Sequence, residues 1–229
     1  MKSSNKKSRR KFIGSVLGAT AALPLAKISA AATVEMDTQD KWLTRINGRH
    51  KCLFDFPQHK KGAGLVHILN YIATYQNAYG VDIGDISTVG TFYSIGPNSS
   101  IPMAFTDNMW AKYRLGEYLN LDDPKTKKPA VRNLFYETLD GDELPRVGPI
   151  GPFPGASISV LQENMGTIFL LCNNALGALS MDLDRLGFGV TADIQADLMA
   201  HIHHGIDLVP AVVIAIEKAQ AGGISYNKQ

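Results

Sequence analysis

The sequence is poor in the features that most directly announce a chemistry. Only two cysteines, Cys52 and Cys172, occur in 229 residues, which excludes a disulfide framework as the main support of the fold. No Gly-x-Ser-x-Gly, His-Glu-x-x-His or comparable nucleophile–base pattern is present. Gly62-Ala63-Gly64 is a lone glycine pair, far short of a dinucleotide or phosphate-loop fingerprint. It reads as a turn before a helix, and no bound cofactor is expected. Beyond residue 32 no apolar run reaches the ~18 residues of a membrane helix. Basic stripes interleaved with aromatics are missing too. Lys125 to Lys128, the densest basic run, lies among turn residues and reads as a solvated loop, so nucleic acid is not an expected partner.

Acidic residues are absent from one end of the chain. Residues 1–32 contain seven of the 23 Lys and Arg and no Asp or Glu. The remainder carries 16 basic against 21 acidic side chains, about −5 with His neutral. The overall +2 is therefore set by a short basic segment and implies nothing about nucleic acid or anionic lipid.

That segment has its own logic. Ser8-Arg9-Arg10-Lys11-Phe12-Ile13 resembles the twin-arginine export motif. Residues 14–25 are small and apolar, too few to span a bilayer but suited to a signal-peptide core. Ile28-Ser29-Ala30-Ala31-Ala32 places small residues where a signal peptidase reads, and cleavage is expected after Ala32. Lys27 between core and cleavage position suits the twin-arginine route, and no Cys near it suggests a lipid anchor. The expectation is export by the twin-arginine translocase to the periplasm, leaving residues 33–229 as one domain without membrane attachment.

Downstream, apolar patterning alternates between strand and helix. His50 to Phe56 is a short apolar run ended by Pro57, a first strand. Leu65, Ile68, Leu69 and Ile72 repeat at three- and four-residue spacing, predicting a helix from Gly64 to Tyr79 closed by Gly80. Ile86 to Ile95 is rich in β-branched and aromatic residues and reads as a second strand. Pro102 is expected to open a helix running to Gly116. Nine Pro or Gly between 129 and 155 predict a long irregular connection. Ser157 to Gly166 reads as a short helix, and Thr167 to Cys172 as a strand buried on both faces. Asn173-Asn174 are expected to cap the next helix and Thr191 a further one ending at Gly205. Ile206 to Val209 is a brief strand, Pro210 opens a helix to Gln220, and Ile224 to Tyr226 is a last strand. This order predicts a three-layer α/β/α domain with a mainly parallel sheet.

Phe169-Leu170-Leu171-Cys172-Asn173-Asn174-Ala175-Leu176, then Leu208-Val209-Pro210-Ala211-Val212-Val213 and the terminal Gly222-Gly223-Ile224-Ser225-Tyr226, resemble the DsrE/DsrF-like family. Ile101 to Phe105 with Asp107, Met109-Trp110 and Lys112-Tyr113 are similar to an exported branch of it. The likeness covers essentially all of residues 33–229. It implies a DsrE-like α/β domain that assembles into homo-oligomers. It also implies, as in some members, relay of sulfur as a persulfide on a cysteine, with a sulfur species as ligand or a partner thiol as acceptor.

Cys172 stands where a strand ends and a helix begins, the edge at which open α/β sheets collect ligands. Backbone N–H groups and the helix dipole there stabilise a thiolate, with Asn173 and Asn174 presenting amides around it. Packing is the competing role, since free Cys is among the most buried residue types. Cys52, near the start of its strand, is expected at the opposite sheet edge, out of disulfide range, as a core residue. Asp107 and Trp110 lie one turn apart and are candidates to edge a pocket. Asp197, His201 and His204 share a helical face, but no further ligand completes a closed metal shell, so no metal is expected. Two functions stand side by side: a sulfur-handling protein using Cys172, and a non-catalytic binding or assembly module.

Overall fold

The computed structural model of the chain describes residues 40–137, 153 and 155–229. The twin-arginine segment, the Ala32 cleavage position and most of the Pro- and Gly-rich stretch from 138 to 154 lie outside the described residues. Five strands form one parallel sheet: β1 (His50–Phe56), β2 (Ile86–Phe92), β3 (Ile168–Cys172), β4 (Ile206–Val209) and β5 (Ser225–Lys228). Their spatial order is β4-β3-β2-β1-β5. In register, Leu53 pairs with Val89 and Val89 with Ile168. The fold is α/β, as the alternation predicted. β2 and β3 are buried at every position, the burial expected of central parallel strands, whereas the edge strand β5 is exposed throughout.

The helices are α1 (Lys41–Thr44), α2 (Ala63–Tyr79), α3 (Asp107–Lys112), α4 (Leu115–Tyr118), α5 (Ile158–Glu163), α6 (Asn173–Arg185), α7 (Thr191–Ala200) and α8 (Val212–Ala221). They cover both faces of the sheet. On one face Phe54, Phe56, Phe92, Phe169 and Leu171 pack with the apolar sides of α2, α5, α6 and α7. On the other, Leu53, Val89, Leu170 and Cys172 pack with Val212, Ala215 and Ala219 of α8 and with Trp42 of α1. Period-two alternation along each strand produces this split. Gly90 is what lets the first face close: a Cβ there would stand 2.5 Å from the Phe169 ring. Without one, Phe169 lies flat against Phe92, ring centres 5.2 Å apart.

Several element limits differ from expectation, each for a tertiary reason. The helix expected from Pro102 to Gly116 is instead a 3-10 turn at Ile101–Ala104 followed by α3 and α4. The Asn133 side-chain amide donates to the Met103 and Phe105 carbonyls (2.9 and 2.8 Å), taking acceptors a continuous helix would need. Arg114, at φ 50, breaks α3 from α4. The helix from Thr191 ends at Ala200, not Gly205. Thr106 N–H donates to the His201 carbonyl and His203 N–H to the Ala104 carbonyl, which pulls this segment into a bridge with Phe105. Neither expected cap forms through its own side chain. Cys172 occupies the N-cap of α6, and Thr191 donates its hydroxyl to Asp184. The second strand stops at Phe92, where Ser100 Oγ accepts from Tyr93 N–H. Among the described residues, no helix is long and apolar enough to cross a membrane.

Candidate functional site

The connection leaving β3 enters α6, which packs on one face, and the connection leaving β4 enters α8, which packs on the other. Neighbouring strands whose exits diverge in this way open a crevice at their carboxyl ends, the usual ligand position in such sheets. Cys172 closes β3 at that point, paired with Val209 of β4. Asn174 N–H donates to the Pro210 carbonyl (3.3 Å), tying the two exits together. The thiol turns toward α8, is 7% exposed, and packs with Leu170, Val209 and Val212. Asn173 is half-buried with its Oδ1 shielded and without a hydrogen-bond partner, and Asn174 is exposed.

On the same face, polar residues that the sequence reading passed over gather around Asp55 of β1, two strands away from Cys172, with Tyr93 near both. Asp55 lies in β1 at an inward position and is 2% exposed. Its carboxylate accepts from Tyr226 Oη (2.6 Å) and from Thr91 Oγ1 (3.3 Å). Thr91 Oγ1 in turn accepts from Phe56 N–H at 3.0 Å. The Tyr93 hydroxyl interacts with the same carboxylate and lies near both Cys172 and Tyr226. Burial first, and then Asp55, push the Tyr93 phenol well above its ordinary range. The hydrogen bond to Asp55 pushes Tyr226 up to about 12. Both phenols are therefore neutral donors at physiological pH. The signal in the sequence was the acid itself, an aspartate inside the otherwise apolar strand run Cys52-Leu53-Phe54-Asp55-Phe56.

The remaining candidates do not converge on this point. Trp110 is fully buried in the opposite core and donates Nε1–H to the Pro102 carbonyl (2.9 Å). Asp107, exposed at the start of α3, accepts from Asn133 N–H at 2.7 Å. Both act in the packing of the β2–β3 connection. Cys52 and Cys172 are both free and buried, in different cores. Leu53, the residue after Cys52, is level with Val89 and through it with Ile168, four residues before Cys172; the two cysteines are therefore about 16 Å apart along the strand direction.

With α7 ending at Ala200, the histidines are not on one helical face. His201 Nδ1 lies 2.8 Å from the Asp197 carbonyl oxygen, and the Asp197 carboxylate takes Lys112 and the Tyr113 hydroxyl. His203 stacks on Tyr136, and His204 is exposed. Among the described residues, no three His, Cys, Asp or Glu side chains are grouped to hold a metal ion. Burial lowers His203 from the ordinary 6.5 to about 4, against an upward pull from Asp107. Between those two values the unfolded chain binds a proton that the folded chain refuses, so stability falls as pH drops through that window. Burial lowers His59 as well, in the same direction. Urea midpoints should therefore drop between pH 7 and about pH 4.5, and drop less in His203→Gln. An equal drop in both proteins would remove His203 from the account.

In comparisons with known proteins, no family model, no curated protein and no solved structure matches this chain.

Proposed function

We propose that the chain is an exported DsrE-like α/β protein that takes up sulfane sulfur on Cys172. The observation that carries this reading is the position of the thiol. It ends β3 between diverging strand exits and stands at the N-cap of the 13-residue helix α6. The parallel sheet and the ordered motifs around Cys172 and Val209 support the DsrE-like part; the Arg9-Arg10 segment supports export. In the proposed step the Cys172 thiolate attacks the terminal sulfur of a polysulfide. A new Sγ–S bond forms, the bond behind the attacked sulfur breaks, and the shortened polysulfide leaves with that electron pair. The persulfide then passes its outer sulfur to a partner thiolate by the same exchange, regenerating the Cys172 thiolate.

One observation favours a second reading, a non-catalytic binding module: Cys172 is 7% exposed and its neighbours are apolar. The two readings part in one measurement. Mass spectrometry after polysulfide treatment should show added sulfur on the wild type and on Cys52→Ala, and none on Cys172→Ala. A folded wild type that gains no sulfur leaves the binding module as the better reading. Export has its own test. Replacing Arg9 and Arg10 together by Lys should hold the precursor inside the cell, and efficient export of that double variant would refute the twin-arginine route.

A further inference from the structure

Tyr93 follows β2, whose last residue, Phe92, is paired with Leu171 of β3. One step further on, Tyr93 is level with Cys172, on neighbouring strands that lie about 4.8 Å apart. Alternation turns both side chains to the same face, and both pack in the core beneath α8. The side chains packed with the thiol, Leu170, Val209 and Val212, are apolar. The Tyr93 phenol is thus the polar group set beside the sulfur. The thiol itself has no hydrogen-bond partner among the described residues.

Tyr93 is fixed on both sides. Its N–H donates to the Oγ of the fully buried Ser100 at 3.0 Å. The next residue, Ser94, takes φ 78, a left-handed conformation that costs a non-glycine residue energy and collects at functional sites. The phenol also has a proton to give, because burial and Asp55 keep it neutral. Asp55 does not depend on that proton. Its carboxylate already accepts from Tyr226 Oη at 2.6 Å and from Thr91 Oγ1 at 3.3 Å. The Tyr93 hydroxyl can therefore turn from Asp55 without leaving the carboxylate unpaired.

Given sulfur uptake on Cys172, we propose that the Tyr93 hydroxyl holds the outer sulfur of the resulting persulfide. The second sulfur stands about 2 Å beyond Sγ. As an anion it accepts a charge-assisted hydrogen bond from the neutral phenol. Without that bond the charge would lie against Leu170, Val209 and Val212 with no side-chain donor beside it.

The partition of sulfur between the full chain and glutathione tests this. The chain is loaded with polysulfide, freed of excess and equilibrated with glutathione, and the persulfide fraction is read by intact mass. In the exchange a glutathione thiolate bonds to the outer sulfur, the Sγ–S bond breaks, and Cys172 leaves as a thiolate with that electron pair. Tyr93→Phe keeps the ring and should shift the partition about tenfold toward glutathione, the order of one charge-assisted hydrogen bond. A ring-fluorinated tyrosine at position 93, a stronger donor of nearly the same shape, should shift it the other way. Iodoacetamide, whose adduct has no outer sulfur, should alkylate Cys172 at the same rate in all three proteins. Equal partition in the wild type and Tyr93→Phe would overturn the role of Tyr93 and leave sulfur uptake standing. An alkylation rate that changes as much as the partition would reduce Tyr93 to packing around the thiol. A wild type that gains no sulfur would overturn both the uptake and the role of Tyr93.

Discussion

Replacing Asp55 by Ala is expected to cost about 2–3 kcal/mol of folding stability, with Asp55→Asn costing less than half as much. Besides its interaction with Tyr93, the carboxylate accepts from the Tyr226 and Thr91 hydroxyls, and these two lose their acceptor on different terms. Tyr226 is partly exposed and can turn to water, whereas Thr91 is fully buried and cannot. Burying a charge opposes this, because desolvation of a carboxylate is costly and its removal is a gain. The hydrogen bonds are expected to win, since Thr91 also anchors the Phe56 amide and would be left with one partner fewer in a dry core. Asn keeps an acceptor for Tyr226 and fills the same space. The loss should appear first at β5, whose exposed residues are held to the domain by the pairing with β1, by the Tyr226–Asp55 bond, and by Gln229 N–H donating to the Asp55 carbonyl. Equilibrium denaturation gives the total, and hydrogen exchange of residues 225–228 locates it. An Asp55→Ala protein as stable as the wild type would mean that desolvation cancels the hydrogen bonds.

Gly116→Ala should be at least as damaging, about 3 kcal/mol, from a single added methyl. A Cβ at Gly116 would stand 2.3 Å from the Ala130 carbonyl oxygen and 2.4 Å from its nitrogen. These are backbone atoms and cannot rotate away. Ala130 is held there because its N–H donates to the Leu121 carbonyl, while Leu121 N–H donates to the Gly116 carbonyl. The methyl must therefore break a small closed set of backbone bonds or displace α4. Displacing α4 would also move Tyr118, whose hydroxyl accepts from Gly96 N–H (2.8 Å) and donates to Asp182 (3.1 Å). Gly84→Ala, where nothing lies within 4 Å of the added methyl, is the control and should stay within about half a kcal/mol of the wild type. A normal melting temperature for Gly116→Ala would show that the segment around Ala130 yields freely.

Where local pattern and burial coincide, the elements were legible from residue order. β1 and β4 span the residues expected of them, because each is a short run closed by a proline, Pro57 and Pro210. α2 ends where Gly80, at φ 65, takes the left-handed conformation glycine tolerates best. The position of Cys172 between a strand and a helix was readable for the same reason: the apolar run of β3 stops and helical spacing begins.

What residue order could not supply depends on partners far along the chain. The break between the 3-10 turn at Ile101–Ala104 and α3 is made by Asn133, which takes carbonyls that helix periodicity had assigned to the chain's own N–H groups. The early end of α7 follows from a bridge to Phe105. The polar residues around Asp55 depend most on distance. Tyr226 and Asp55 are 171 positions apart and meet only because β5 returns to lie beside β1. Local periodicity sets which residues alternate inward. The order in which strands lie side by side is settled by the closing of the whole sheet, and that decided which inward residues meet on the face that carries the thiol.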